Sequence, residues 1–358
     1  MNGVWPKILS RVRLAAGEFY YSLAPDRGLL GRLEESPGSL AIEPINICNA
    51  NCVFCGYQYQ ERPRGRMEAS VLEKALREYV LLGGGMIHWS VVVGDPLLDP
   101  ECVERIRYIR SFPSITRVET TTNCLNLHQT GARELLQSGL DAIHVSTAGF
   151  DPDMFRRLYR SDRYEQMKEN VLSLLRANQQ LGRPVKITIG LRIDQSMKKA
   201  LSRPGFQEVI ELADSIESNY YFDSWSGRVR QEDLPPGLRT RSPLIVGKKR
   251  RLPCGQLWVG IGVLVDGTLT ACSCRDLNGD SDLVLGNIKE KSLGELVHSP
   301  YLKSLREDWF SARKIPALCR DCRHYFPYTY LMLKENRLPV PLQGRQGAKI
   351  VPSRGSAI

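Results

Sequence analysis

The stretch CNANCVFCGY, residues 48–57, carries three of the chain's ten cysteines as Cys48-x3-Cys52-x2-Cys55. A disulfide uses two thiols, and a structural zinc site wants four protein ligands. No histidine stands near enough to complete a zinc site; the closest in sequence is His88. An iron–sulfur cubane is normally held by four thiolates, so three leave one iron open to a small-molecule ligand.

SLAIEPINI before the cysteines reads as a strand, and Met67–Leu82 as a helix ending at three glycines. MIHWSVVVG is a second strand, Pro100–Phe112 a helix, ITRVETTT a strand and Thr130–Ser138 a helix. DAIHVSTA is a strand, and 151–178 is helical with a break near Ser161-Asp162. PVKITIGLRI is a strand, Pro204–Ile216 a helix, and NYYFDSW closes the series as a sixth strand. Strands alternating with helices imply βαβ units and a parallel sheet, with apolar strands buried on both faces. The fold expected is α/β, a partial six-stranded barrel over 39–225. Ligands of such folds sit at the carboxyl ends of the strands, where the three-cysteine loop lies.

The 358 residues allow a second, smaller unit. The chain is 42% hydrophobic and 25% charged, ordinary for a globular protein. No apolar run is long enough to span a membrane, and MNGVWPKILSRVRLAAGEFYY, without a continuous apolar stretch and cleavage site, is not expected to act as a secretory signal. A cytoplasmic, reducing location is expected, where clustered cysteines mean metal or catalysis. The net charge of +10 is spread thinly, apart from Lys248–Arg251, a solvated loop or an attractor of anions. Nothing resembles a nucleic-acid patch. The extension 1–38 holds an apolar and basic helix over 8–23, which docks on the body or touches lipid headgroups. A polar linker fills 226–252, and a small unit is expected over 253–326. There LWVGIGVLVDGTLTAC reads as a hairpin turning at Asp266-Gly267, and Ser292–Trp309 as a helix. The tail 327–358 is expected to be poorly ordered beyond 337.

The cysteine spacing on a loop after the first βα strand resembles the signature of the radical S-adenosylmethionine (radical SAM) superfamily. The resemblance covers residues 39–225. Phe54 matches the aromatic residue before the third cysteine. VGDP at 93–96 is similar to the family's Gly-Gly-Glu-Pro segment, with Val93 and Asp95 as departures. The resemblance implies that Cys48, Cys52 and Cys55 hold a [4Fe–4S] cluster whose open iron binds S-adenosylmethionine. It further implies cofactor contacts at Phe54, Gly94, Asp95, Asn123, Ser146 and Arg192. The implied chemistry is reductive cleavage to a 5′-deoxyadenosyl radical, which takes a hydrogen atom from the substrate. A flavodoxin or ferredoxin would supply the electron.

A second set, Cys254, Cys272, Cys319 and Cys322, comes from the hairpin and a tight turn. Spacing alone suits zinc or a cubane. Beside a radical SAM core it resembles the auxiliary modules called SPASM and twitch, here the shorter form with one [4Fe–4S] cluster. Cys274 rivals Cys272, and His324 rivals Cys322. Cys102 and Cys124 read as buried apolar thiols.

The polar end of the sixth strand offers Asp223 and Arg228 as catalytic groups, with Trp225 beside them, able to help a substrate hydroxyl lose its proton. The arrangement resembles that of family members that oxidise an amino-cyclitol alcohol. With only a short N-terminal extension, a small polar substrate such as a sugar or cyclitol is expected, and oxidation of it. A peptide substrate and an epimerisation are the alternatives; a catalytically silent iron–sulfur carrier is a third, against which the intact three-cysteine motif argues.

Overall fold

The structure is a computed structural model. It describes residues 16–17, 19–90, 92–219, 221–222, 224–240, 252–273, 275–311, 313–320, 322, 324–335 and 349–350. Asp223, Cys274, the run Lys248–Arg251, and the expected helix 8–23 up to residue 15 lie outside them.

Six strands follow one another in parallel: β1 (Ser39–Ile42), β2 (Gly85–His88), β3 (Ile115–Thr122), β4 (Ala142–Thr147), β5 (Lys186–Arg192) and β6 (Ser215–Asn219). Helices Ala69–Leu81, Cys102–Arg110, Tyr164–Gln180 and Phe206–Leu212 lie among the connections between them. Their apolar stripes, such as Leu72, Leu76, Ile106, Val171 and Leu174, share one core with Ile87, Val118, Ile143, Val145, Ile187 and Ile189.

The expectation that the strands are apolar on both faces fails. On β4 the burial alternates, with Ile143, Val145 and Thr147 buried and Ala142, His144 and Ser146 half-buried. Residues paired across the sheet share a face, so Glu119, His144, Thr188 and Lys186 belong to the side away from the helices. That side is polar because it lines a cavity rather than a second helical layer.

Three further boundaries differ. The sixth strand is Ser215–Asn219, not the stretch from Asn219 to Trp225. It begins where the expected helix should have continued, because that helix ends at Leu212. Tyr221–Phe222 (β7) instead pairs with Arg239–Thr240 (β8) in a separate small sheet. The second strand stops at His88, since Val92 (φ 38°) and Gly94 (φ 97°) turn the chain away from extended geometry. The helix expected over 292–309 is two, Leu293–Val297 and Pro300–Phe310, because Ser299 caps the second and proline opens it. The break expected near residue 161 is present, set by left-handed Arg160 (φ 49°).

The C-terminal unit is not set apart from the sheet. β9 (Ile261–Val263) pairs in parallel with β1, and β10 (Thr268–Thr270) and β11 (Val284–Asn287) extend the same sheet. The hairpin turn falls at Gly267 (φ 91°), as the sequence implies. At the other edge Lys349–Ile350 (β12) pairs antiparallel with β6, so these two residues of the expected disordered tail are ordered as a strand. Glu43 rivets the join. It is fully buried, accepts two bonds from Arg62 (2.6 and 2.7 Å) and a third from the Val265 N–H (3.0 Å). Arg62 also donates to the Leu277 carbonyl (2.9 Å), across the same junction.

Candidate functional site

The loop after β1 is held from below. The Asn51 and Val53 N–H groups donate to the carbonyls of Tyr159 and Leu158 (3.2 and 2.9 Å). A turn closes between Cys52 and Cys55 (3.1 Å), and the Tyr57 N–H points at the Cys55 sulfur (3.4 Å). All three thiols are free; Cys52 is buried, and Cys48 and Cys55 are partly exposed. Burial holds them in the neutral form: the Cys48 thiol is pushed up to about 12, with the Asp95 carboxylate adding to it. Cys52 and Cys55 are raised for the same reason, while Arg192 opposes the rise in both. Thiolates in such a place need a bound cation to compensate them.

Most of the expected cofactor residues gather here. Phe54 stacks on Phe222 (4.8 Å between centroids) and meets Tyr159 edge-on (5.4 Å). The Asn123 amide donates to Asn49 Oδ1 (2.8 Å) and approaches the Cys48 sulfur (3.7 Å). Ser146 Oγ meets the Tyr159 hydroxyl (3.0 Å), and Arg192 ends β5. Gly94 lies tight against the strand extension, because a Cβ there would fall 2.1 Å from the Ile45 carbonyl oxygen. Asp95 is placed differently from a ligand-facing acid. Its buried carboxylate accepts from the Thr122 hydroxyl (2.9 and 3.0 Å), the Asn123 N–H (2.7 Å) and the Leu97 N–H (3.1 Å). It tethers the end of β3 to the segment after β2. Arg228 is half-buried, and its side chain makes no hydrogen bond or ion pair with the described residues; its N–H meets the Trp225 carbonyl (3.3 Å).

Three groups that sequence reasoning missed belong to this place: Asn49, Tyr159 and Arg275. Asn49 lies inside the cysteine motif at a position the spacing leaves unspecified. Its Nδ2 is buried with no hydrogen-bond partner among the described residues. Tyr159 and Arg275 come from distant helix and loop, with no local signal.

Cys254, Cys272, Cys319 and Cys322 are all buried and line one pocket with Leu257, Trp309 and His324. Among the described residues no three His, Cys, Asp or Glu side chains meet closely enough for a single ion; the four cysteines share the lining of this pocket. The ends of this unit are laced together: Gly255 N–H to Phe326 O (2.8 Å) and Tyr328 N–H to Pro253 O (2.9 Å). Cys102 and Cys124 lie buried elsewhere; the Trp89 indole N–H points at the Cys102 sulfur (3.4 Å).

Residues 42–199 match the family model described as Radical SAM superfamily, and residues 254–323 that of an iron–sulfur cluster-binding domain, SPASM. A probable GTP 3′,8-cyclase of Methanothermobacter thermautotrophicus is 30% identical over 267 residues, 67% of this chain and 85% of the relative.

The chain belongs to the radical SAM superfamily.

A GTP 3′,8-cyclase of Streptomyces coelicolor is 29% identical over 66% of this radical SAM chain and 73% of its own. Two solved structures share the fold. SuiB of Streptococcus suis bound to precursor peptide SuiA has a TM-score of 0.57 at 13% identity, covering 85% of this chain and 75% of that one. BtrN in complex with AdoMet and 2-DOIA has a TM-score of 0.51 at 17% identity, covering 80% and 92%. The two matched regions imply a SAM-binding [4Fe–4S] cluster and an auxiliary iron–sulfur cluster. The three free thiols of the β1 loop, the orphaned Asn49 donor and the four-cysteine pocket fit both groups.

Proposed function

We propose that this radical SAM enzyme oxidises a small polar metabolite, a sugar or cyclitol in type, at a C–H bearing oxygen or nitrogen. The observation that carries the reading is the cavity on the inner face of the sheet. It measures about 190 Å3 and is lined by His88, Ser90, Glu119, Thr121, His144 and Thr188, with Arg117 and Lys186 toward the strand beginnings. Hydroxyls, imidazoles and charges line it, with little apolar wall. It is smaller than the roughly 300–1,000 Å3 typical of drug-sized sites. A compact polyol satisfies such a lining better than an apolar peptide side chain does.

In this reading Cys48, Cys52 and Cys55 hold the SAM-binding cluster, and Cys254, Cys272, Cys319 and Cys322 the auxiliary one. The bound cofactor supplies a 5′-deoxyadenosyl radical for hydrogen abstraction. Asn49 and Asn123 orient it, Arg192 offsets negative charge beside the thiolates, and Phe54 with Phe222 excludes water. In this reading Asp223 would take the hydroxyl proton, and the Arg228 guanidinium would assist by stabilising the oxygen left behind. Cys254, Cys272, Cys319 and Cys322 would hold a cluster able to accept the second electron, and an external flavodoxin or ferredoxin would deliver the first.

A second reading is a nucleotide substrate. The relatives named GTP 3′,8-cyclase point to it, and Arg117 and Lys186 in the cavity suit a phosphate. The test is anaerobic turnover in heavy water with SAM, reductant and panels of polyols and nucleotides. Oxidation gives a product lighter by two hydrogens, with 5′-deoxyadenosine formed stoichiometrically. An isomeric product carrying solvent deuterium at carbon is epimerisation and overturns the proposal, as does turnover of nucleotides alone.

A further inference from the structure

One dipeptide touches both cysteine sets. Trp225 (φ 48°) and Ser226 (φ 56°) are consecutive non-glycine residues in the left-handed region, a backbone that persists only where its surroundings hold it. The Trp225 indole N–H donates to the Phe54 carbonyl (3.1 Å), just before Cys55. Its ring lies on Gly56, just after Cys55, so closely that a Cβ there would fall 2.6 Å from Trp225 Cε3. Ser226 Oγ donates to the Leu318 carbonyl (3.2 Å), one residue before Cys319. The guanidinium of Arg275, three residues after Cys272, sits 4.5 Å from the centre of the Trp225 ring. A cation over an indole face at this distance is attracted to it. The C-terminal unit therefore delivers a positive charge, seated on Trp225, to the Cys55 side of the three-thiol loop.

We propose that Trp225 and Arg275 are a positioning pair that raises the reduction potential of the cluster held by Cys48, Cys52 and Cys55. The proposal rests on that ligand assignment. Reduction adds an electron to the cluster, and a nearby partly desolvated cation favours the reduced form. Arg192 acts in the same sense on Cys52 and Cys55, and Asp95 opposes it beside Cys48. Arg275 differs from both in coming from the C-terminal unit, so the docking of that unit sets the potential of the first site.

The experiment is a potentiometric titration of the reconstituted enzyme followed by electron paramagnetic resonance. The signal perturbed by added SAM is taken as that of the first cluster. At the wild-type midpoint, Arg275→Gln lowers the reduced-to-oxidised ratio about tenfold, which is 59 mV for a one-electron couple. Arg275→Lys, which keeps the charge, restores most of the ratio. Trp225→Leu removes the seat while keeping the charge count and lowers the ratio as well; it serves as the probe if Arg275→Gln does not load iron. A wild-type ratio in loaded Arg275→Gln or Trp225→Leu overturns the proposal, because a purely structural role shifts thermal stability and leaves the potential alone. A SAM-responsive signal that survives in Cys48→Ala overturns the ligand assignment beneath it instead.

Discussion

Gly94 shows how much a single position carries. Its backbone has φ 97° and lies against the Ile45 carbonyl, with room for a hydrogen and nothing larger. Gly94→Ala should destabilise by more than the roughly 1–2 kcal/mol that left-handed backbone alone costs an L-residue, because the new methyl also strikes the main chain. Thermal melting and iron content should fall together. Cys102 offers the opposite case. It is buried behind β2 beside Trp89, so Cys102→Ala should lose modest stability to a small cavity and keep the full iron complement. An iron loss without destabilisation would make it a ligand. At this scale the sequence was legible where chemistry demands a residue type: three thiols, an aromatic before the third, a glycine in the turn after β2. It was silent on Asn49, whose neighbours in the motif carry no constraint on it. It also gave no sign that the Asp95 carboxylate accepts from Thr122, Asn123 and Leu97.

Among elements, the joint between β1 and the C-terminal hairpin depends on one buried charge. Glu43 is pushed upward by burial, while the Arg62 guanidinium opposes the rise. Glu43→Gln leaves Arg62 buried and only partly paired, which should cost about 3–5 kcal/mol. Urea unfolding checks this; replacing both residues with Met should recover much of the loss, and failure to do so would mean the pair does more than satisfy itself. Neither Glu43 nor Arg62 could be singled out from sequence, since their contact joins segments far apart with no shared pattern. The same limit explains the sixth strand. SIESN alternates apolar and polar residues weakly, whereas NYYFDSW is rich in strand-favouring aromatics. Pairing to β5 through Thr188↔Ser215 and Arg192↔Asn219 decided the matter in favour of the former. The aromatics went to a second task, with Phe222 stacked on Phe54.

For the whole molecule, the order of strands was readable from the βα rhythm, and the cavity was not. Polar residues on one face of a parallel strand look like loop contamination until the pairing register aligns Thr121, His144 and Thr188 across three strands. Gly190 illustrates the point: a Cβ there would meet the His144 ring at 2.2 Å, so the glycine makes space for an imidazole on the neighbouring strand. Gly190→Ala should displace His144 and lower kcat/KM with small effect on iron content. An unchanged kcat/KM would remove His144 from the substrate site.

The largest test of the assembled molecule is the iron count. Two separate cysteine sets, one of three thiols on the β1 loop and one of four around the C-terminal pocket, call for two clusters. Anaerobically reconstituted protein should hold roughly eight irons, from two four-iron cubanes. Changing Cys48, Cys52 and Cys55 together to Ala should leave about four irons and abolish SAM cleavage, because the second set is complete without them. Changing Cys254 and Cys319 should likewise leave about four irons, this time those of the three-thiol site. It should also lower stability, since those thiols sit between segments that close the unit through Gly255–Phe326 and Pro253–Tyr328. Metal binding there adds its free energy to folding, so chelation should depress the melting temperature of the wild type more than that of the Cys254 and Cys319 variant. A full iron count in the triple variant would show that the three-thiol loop holds no cluster, and the reading built on CNANCVFCGY would fall with it.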